Sequence, residues 1–363
     1  MAPRKPDVIL DGVLQRKGKG ATMRRQLAAN KPRNWMLALT LHSFAKFAAN
    51  GQLTDLERSI VSAYQKNGFS DAEIKEHGKV GERLTDPVRK ELFPERYARM
   101  RFGKDSYSMS DLRTDAPDLV KSFRAMPNVV DVDVEAIHGG RAVISDFRPP
   151  DREVLREHAS EGLIALEAAA APPGRYTIKA TRFKCIDRAT DSIFGPSNEP
   201  YWVFGSTDGD KAKATRSSVF GDVDSGESRN FNSTDGVMWG LNGAAQPLPD
   251  GEVGMLVSLW EHDEGDPSKI QAGVAAAFAG AAGILVATGV AAWVGAVVAA
   301  VGGVVHWLLG FLDDDHIADQ VFTVSGPLIA KQVPNVGGST DLIRRFTDGD
   351  ADYELTVKIT RTA

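Results

Sequence analysis

The sequence predicts an α+β protein: an N-terminal mainly helical domain followed by an antiparallel β-sandwich carrying an inserted hydrophobic α-helical hairpin. Three observations predict it. Between residues 34 and 126, apolar side chains recur at helical spacing between capping and stopping residues. From residue 175 onward, strand-length apolar runs alternate with polar connections rich in Gly and Asp. From Gln271 to Leu312 the chain carries no Asp, Glu, Lys or Arg, over about twice the ~20 residues that cross a bilayer once.

At 363 residues the chain has room for two or three domains, each with its own core. Its formal net charge of −5 excludes a whole-molecule bias toward nucleic acid, and none is expected as a partner. Residues 1–33 are locally basic: Arg4, Lys5, Arg16, Lys17, Lys19, Arg24, Arg25, Lys31 and Arg33 face only Asp7 and Asp11. This composition predicts a flexible, solvated arm. No apolar leader precedes Trp35, so synthesis in the cytoplasm without a signal peptide is expected. Action elsewhere would then follow release or injection. Cys185 is the single cysteine, which rules out an internal disulfide and reads as a small buried hydrophobe.

Residues 34–172 form the expected helical domain. The run Trp35-Met-Leu-Ala-Leu-Thr-Leu-His-Ser-Phe-Ala-Lys-Phe predicts a helix that stops near Asn50-Gly51. Thr54 caps a second helix through Leu56, Ile60, Val61 and Tyr64, ended by Asn67-Gly68, and Ser70 caps a short third. Asp71, Glu73 and Glu76 make that third helix too acidic for a DNA groove, so a small bundle is the better reading. Near 128–145 the period changes to two. Val129 to Ile137 alternates, His138-Gly139-Gly140-Arg141 turns and Ala142-Val-Ile-Ser follows, which predicts a β-hairpin. A helix from Arg152 to Ala171 then runs into Pro172-Pro173-Gly174, the domain boundary.

Residues 175–363 hold strand candidates at Tyr176 to Ile186, Tyr201 to Gly205, Gly254 to Glu261, Asp319 to Val324 and Tyr353 to Thr360. Three stretches resemble the C2 domain, an eight-stranded β-sandwich that often binds Ca²⁺ and lipid through loops at one end. Phe183-Lys-Cys-Ile-Asp187 leads to Asp191 and Ser197-Asn198-Glu199-Pro200-Tyr201, where the family has an Asp loop and a Ser-Asp-Pro-Tyr turn. Leu259-Trp260-Glu261-His262-Asp263 matches a Val-Trp-Asp-x-Asp ending. Asp315-His316-Ile317-Ala318 matches the closing Asp-x-Ile-Gly. Glu199 and Glu261 depart from Asp, and Ala318 departs from Gly. The resemblance implies Ca²⁺ as cofactor, a lipid membrane as partner, and Asp187, Asp191, Glu199, Glu261, Asp263 and Asp315 as metal ligands. Several carboxylates brought together also suit the six to eight oxygen ligands that Ca²⁺ takes. Solvated turn residues are the alternative.

The charge-free hairpin, 270–312, falls inside the third of those loops. Its lipid-facing candidates are Val274, Phe278, Ile284, Leu285, Trp293, Val297, Val304, Trp307, Leu308 and Phe311. Gly273 and Gly280, Gly295 and Gly302, and Gly303 and Gly310 recur at intervals of seven, a small-residue face for close helix packing. Three roles compete: a hairpin that inserts into a membrane on a trigger, a core or homo-oligomer interface, and a permanent anchor. His306 within it, and His262 and His316 beside it, would respond to acid. No metalloprotease, esterase, phosphate-loop or paired-cysteine spacing is present, so an enzyme is not expected. The expectation is a membrane-active, pore-forming or toxin-like effector that docks through the sandwich. The alternative is a non-enzymatic structural or interaction protein whose hairpin is a core or assembly interface.

Overall fold

Capping and apolar spacing lay out the N-terminal half as expected, and the helices extend further toward the start. The computed structural model describes residues 6–124, 129–131, 141–143, 174–188, 198–207, 212–240, 244–249, 252–262, 266–288, 294–309, 315–347 and 351–363. The helices are α1 (Pro6–Gln15), α2 (Gly18–Ala29), α3 (Trp35–Ala48), α4 (Asp55–Lys66), α5 (Asp71–Glu82), α6 (Asp86–Leu92), α7 (Glu95–Ala98) and α8 (Met109–Arg124), with a 3₁₀ turn at Lys31–Asn34. Thr54 and Glu57 form a reciprocal capping box at the start of α4, as Ser70 and Glu73 do for α5. Such caps contribute about 1 kcal/mol each.

The basic arm is not a solvated tail. Leu10, Val13, Met23 and Leu27 are buried in the same apolar cluster as α3, which gives α1 and α2 a reason to fold. Arg24 is buried with them and donates to Glu91 at 2.5 Å and to the Val13 carbonyl at 2.9 Å.

The sandwich strands are β3 (Arg175–Asp187), β4 (Pro200–Thr207), β5 (Ala212–Arg216), β6 (Ser228–Asn230), β7 (Val237–Trp239), β8 (Gln246–Pro247), β9 (Glu252–Glu261), β10 (Asp315–Ser325), β11 (Ser339–Thr347) and β12 (Asp352–Arg361). Two short strands, β1 (Val129–Asp131) and β2 (Arg141–Val143), precede them. One sheet runs β1-β10-β9-β4-β5 and the other β2-β11-β12-β3-β6, with β7 and β8 also on β3. All pairs from β3 onward are antiparallel. The chain is therefore α+β, helices first and antiparallel sheets after. Of the hairpin expected near 128–145, the described residues do not pair with each other: β1 pairs in parallel with β10 and β2 in parallel with β11, in different sheets. Each meets the open hydrogen-bonding edge of a long strand, a larger ladder than two three-residue strands make together. The helix expected at Arg152 to Ala171 lies outside the described residues.

Between β9 and β10 come α9 (Pro267–Thr288) and α10 (Val294–Leu309), packed on each other. A short α11 (Gly326–Gln332) joins β10 to β11. The first sheet is buried on both faces. Trp202, Phe204, Met255, Val257, Leu259 and Phe322 face the second sheet, across from Phe183, Phe346 and Tyr353. Tyr201, Val203, Leu256, Trp260 and Val321 face α9, α10 and the N-terminal helices. Hence every residue of β4 is buried, and its sequence reads as a continuous apolar run rather than an alternation. Helices, first sheet and second sheet stack as three layers, with α9 and α10 against the middle one.

Candidate functional site

The helical pair sits where the sequence placed it but meets protein on its described faces. Val274, Phe278, Val304, Trp307 and Leu308, all expected to face lipid, are buried. Phe278 shows why. Its ring lies on Gly205 of β4, where an added Cβ would stand 2.1 Å from Phe278 Cε2. Glycine at 205 leaves the hollow that the ring fills. Ile284 and Leu285 lie on α9 and Val297 on α10, while Trp293 and Phe311 fall outside the described residues. At 22 residues α9 reaches about 33 Å, and the 16 described residues of α10 reach about 24 Å, against a hydrocarbon core of about 30 Å. Among the described residues, no helix is long and apolar enough to cross a membrane.

The seven-residue glycine spacing serves other contacts than those expected. Gly273 and Gly280 are buried, and Gly280 faces Met36 of α3 and Ala63 of α4 with room for a Cβ. A Cβ on Gly302 would stand 2.5 Å from Asp319 Oδ2, and one on Gly303 would stand 2.7 Å from Asn34 Oδ1. These two glycines let a polar turn approach α10. Gly295 lies on α10, and Gly310 lies outside the described residues.

What approaches is a buried polar junction that joins three parts of the chain. Arg33, from the turn before α3, donates to Asp319 of β10 at 2.5 and 3.3 Å. His316 Nε2 lies 3.6 Å from Asp319 Oδ1, and His316 Nδ1 lies 2.9 Å from His306 Nδ1 on α10. The Trp260 ring of β9 packs edge-on against His316 at 4.8 Å. Burial alone would raise the Asp319 carboxyl, but Arg33 and the two imidazoles outweigh it and leave it below its ordinary value. Burial lowers His306 well below 6.5, His316 and Arg33 add to that, and Asp319 opposes it.

The expected metal ligands that the structure describes, Asp187, Glu199, Glu261 and the backbone of Asp315, lie at strand ends of the sandwich. Cross-strand register puts Glu261 opposite both Pro200 and Asp315, so Glu199, Glu261 and the start of β10 are neighbours. Asp187 opposes Asp352, beside Tyr353, whose hydroxyl accepts from Asn198 Nδ2 at 3.0 Å. Yet Glu261 Oε1 accepts the Glu199 N–H at 2.6 Å, closing the strand ends, and Asp187 Oδ1 accepts from the Ser225 hydroxyl at 3.3 Å. No group of three or more His, Cys, Asp or Glu among the described residues could hold a metal ion. Asp191 and Asp263 fall outside the described residues, as does the side chain of Asp315.

Two features were not legible beforehand. Glu57 of α4 is fully buried; His42 Nε2 lies 3.0 Å from one carboxylate oxygen, and Lys46 donates to the other at 2.9 Å. Lys46 also donates to Ser106 at 3.0 Å, and the Tyr107 N–H donates to Glu57 at 3.0 Å. Burial raises the Glu57 carboxyl, but these donors and the Thr54 N–H prevail and hold it down to about 2. The capping spacing of Thr54 and Glu57 was the available signal; the pairing with His42 and Lys46 needs α3 beside α4. Above this network lies an open depression lined by Arg96, Arg99, Arg101, Lys104, Ser106 and Tyr107. Arg96 is shared with Asp111 and Asp115, Arg101 with Asp105, and Arg99 with Glu95.

No family model matches this chain. No curated protein matches it in sequence. Among solved structures, human GIVD cytosolic phospholipase A2 in complex with methyl gamma-linolenyl fluorophosphonate is similar at 10% identity and a TM-score of 0.24, over 53% of this chain and 18% of that one. The C2A domain of plant extended synaptotagmin 1 is similar at 10% identity and a TM-score of 0.25, over 53% of this chain and 96% of that one. This chain thus matches under a fifth of the phospholipase. Likenesses this slight carry no argument about activity, and the architecture above rests on strand pairing.

Proposed function

We propose that this protein is a non-enzymatic structural or interaction protein whose charge-free helical pair is an internal core, clamping the helical half onto the sandwich. One observation supports this reading above the others: a single apolar cluster runs from Leu10 and Leu27 through Phe278, Val304 and Trp307 to Tyr201, Leu256 and Val321. Each large side chain in it contributes about 1.5–3 kcal/mol by leaving water. Entry of the pair into lipid would keep its own side chains dry but would uncover Met36, Ala63 and the outer face of β4, so the pair has no net drive to leave at rest. The pore-forming, toxin-like role expected from composition has no support in this packing.

The test is dye release from liposomes at pH 7.5, in parallel with thermal unfolding of a variant lacking residues 270–312. The expected results are no release and a chain that no longer unfolds cooperatively. Release at submicromolar protein, or a deletion variant with an intact, cooperatively unfolding sandwich, would refute the core reading.

A second reading is contact with anionic lipid headgroups without insertion. It is favoured by the rim of Arg96, Arg99, Arg101 and Lys104 around the depression, since cations near an anionic surface contribute about 1 kcal/mol each. Sedimentation with phosphatidylcholine vesicles, with and without phosphatidylserine, tests it. Equal recovery in both pellets, or none, would exclude it.

A further inference from the structure

We propose that the contact between His306 and His316 makes the junction of the helical pair with the sandwich an acid-opened latch. The geometry sets the condition. Two ring nitrogens 2.9 Å apart share one hydrogen, so one imidazole donates from Nδ1 and the other accepts there. Among the described residues the junction holds one carboxylate, Asp319, already engaged by Arg33 at 2.5 Å. A proton added to His306 therefore puts a second positive charge into a space with one negative charge.

Among the described residues, the elements around α10 offer that charge no carboxylate besides Asp319. The 3₁₀ turn presents Arg33, and β10 presents Asp319 and His316. From α2 comes the backbone of Met23, and from β9 the Trp260 ring. Of the charged groups on the remaining neighbours, His42 and Lys46 of α3 are engaged with Glu57, Asp111 and Asp115 of α8 with Arg96, and Lys269 of α9 with Glu73. Residue 306 is 3% exposed, so water does not screen the charge.

The sign follows from linkage. His306 is neutral in the closed form and titrates well below 6.5 there, whereas an opened, hydrated ring titrates near 6.5. Between those values the open form binds the additional proton, so falling pH favours opening, by about fivefold from pH 6.5 to 5.5 and approaching tenfold per unit below that. Asp319 stays ionised through this window because its own titration lies below 3.8. The arms that part are α10 and the start of β10. This goes beyond a permanent core: the clamp holds at neutral pH and loosens in mild acid, whatever the pair then meets.

Hydrogen–deuterium exchange of the full chain from pH 7.5 to 5.0, corrected for intrinsic rates, tests the latch. Opening of peptides from α10 and 315–320 is expected to rise about fivefold between pH 6.5 and 5.5, while β3 and β12 keep their protection. His306→Asn keeps a polar group near the Nδ1 position and does not titrate, so it abolishes the rise. Should that variant fail to fold, ¹⁵N-histidine NMR of the natural chain replaces it, with His306 expected to stay neutral until the α10 signals change. Protection of α10 that ignores pH, a rise spread evenly over all strands, or a rise retained in His306→Asn would overturn the latch. Dye release at neutral pH bears on the core reading and leaves this result independent of it.

Discussion

Gly205 and Phe278 provide the sharpest test of whether the helical pair is bound to the sheet. An alanine Cβ at 205 would stand 2.1, 2.6 and 2.7 Å from three atoms of the Phe278 ring. Carbon atoms rest at about 3.5–4.0 Å, so the ring must retreat by more than an ångström into a packed core. Gly205→Ala should therefore destabilise by about 3 kcal/mol, the upper end of overpacking costs. Phe278→Ala empties the hollow and should cost about 3–5 kcal/mol. The double variant separates this contact from general fragility. With the ring gone, the methyl added at position 205 enters vacant space, so the pair should cost about 2 kcal/mol less than the sum of its parts. Urea unfolding followed by tryptophan fluorescence and far-ultraviolet circular dichroism, at unchanged m-value, reads all three. Costs additive within about 0.5 kcal/mol, or a Phe278→Ala cost below about 1 kcal/mol, would refute the docking of α9 on β4.

Four further outcomes are expected. Glu57→Gln leaves Lys46 buried without its counter-ion and should cost about 3–5 kcal/mol by chemical denaturation; a cost under about 1 kcal/mol would show that the network is hydrated. Arg344 is buried on β11 over the Phe322 ring, and burial lowers it from 12.5 to about 10. Arg344→Met should raise stability by about 1–2 kcal/mol, and a loss of that size would reveal an anionic partner. His77 is buried and lowered by burial to about 4, so it is neutral when folded and takes a proton on unfolding below 6.5. Its contribution, about 3 kcal/mol, is present above 6.5 and lost as pH falls through about 4; His77→Asn should flatten the unfolding profile in that window, and an unchanged profile would contradict the assignment. Millimolar Ca²⁺ or EDTA should leave the melting temperature within about 1 °C, because the described carboxylates are occupied by Glu199 N–H and Ser225. A calcium-dependent rise of several degrees would show a site built from the loop carboxylates.

Much of the architecture was legible. Thr54 and Ser70 announced the starts of α4 and α5 because a capping box is closed within four residues. Strands β3, β4, β9, β10 and β12 were visible as apolar runs between turns. Strand β11 was missed because Asp341, Arg344 and Arg345 break its apolar pattern, although Leu342 and Phe346 reach the sandwich core. The folding of residues 6–33 was hidden for a similar reason: many charges outweighed the few side chains, Leu10, Val13, Met23 and Leu27, that decide it.

Order of the parts, and the presence of two helices built on a charge-free run between β9 and β10, could be read from residues alone, because period, caps and the absence of charge are local properties. What those helices face was settled by packing. Lipid and a protein interior are equally dry, so Phe278 and Trp307 look alike for either until Gly205 and the N-terminal helices are placed beside them. The partners of His306, drawn from Arg33, His316 and Asp319, were beyond reach for the same reason: they come from segments far apart in the chain, and no local pattern records which will meet.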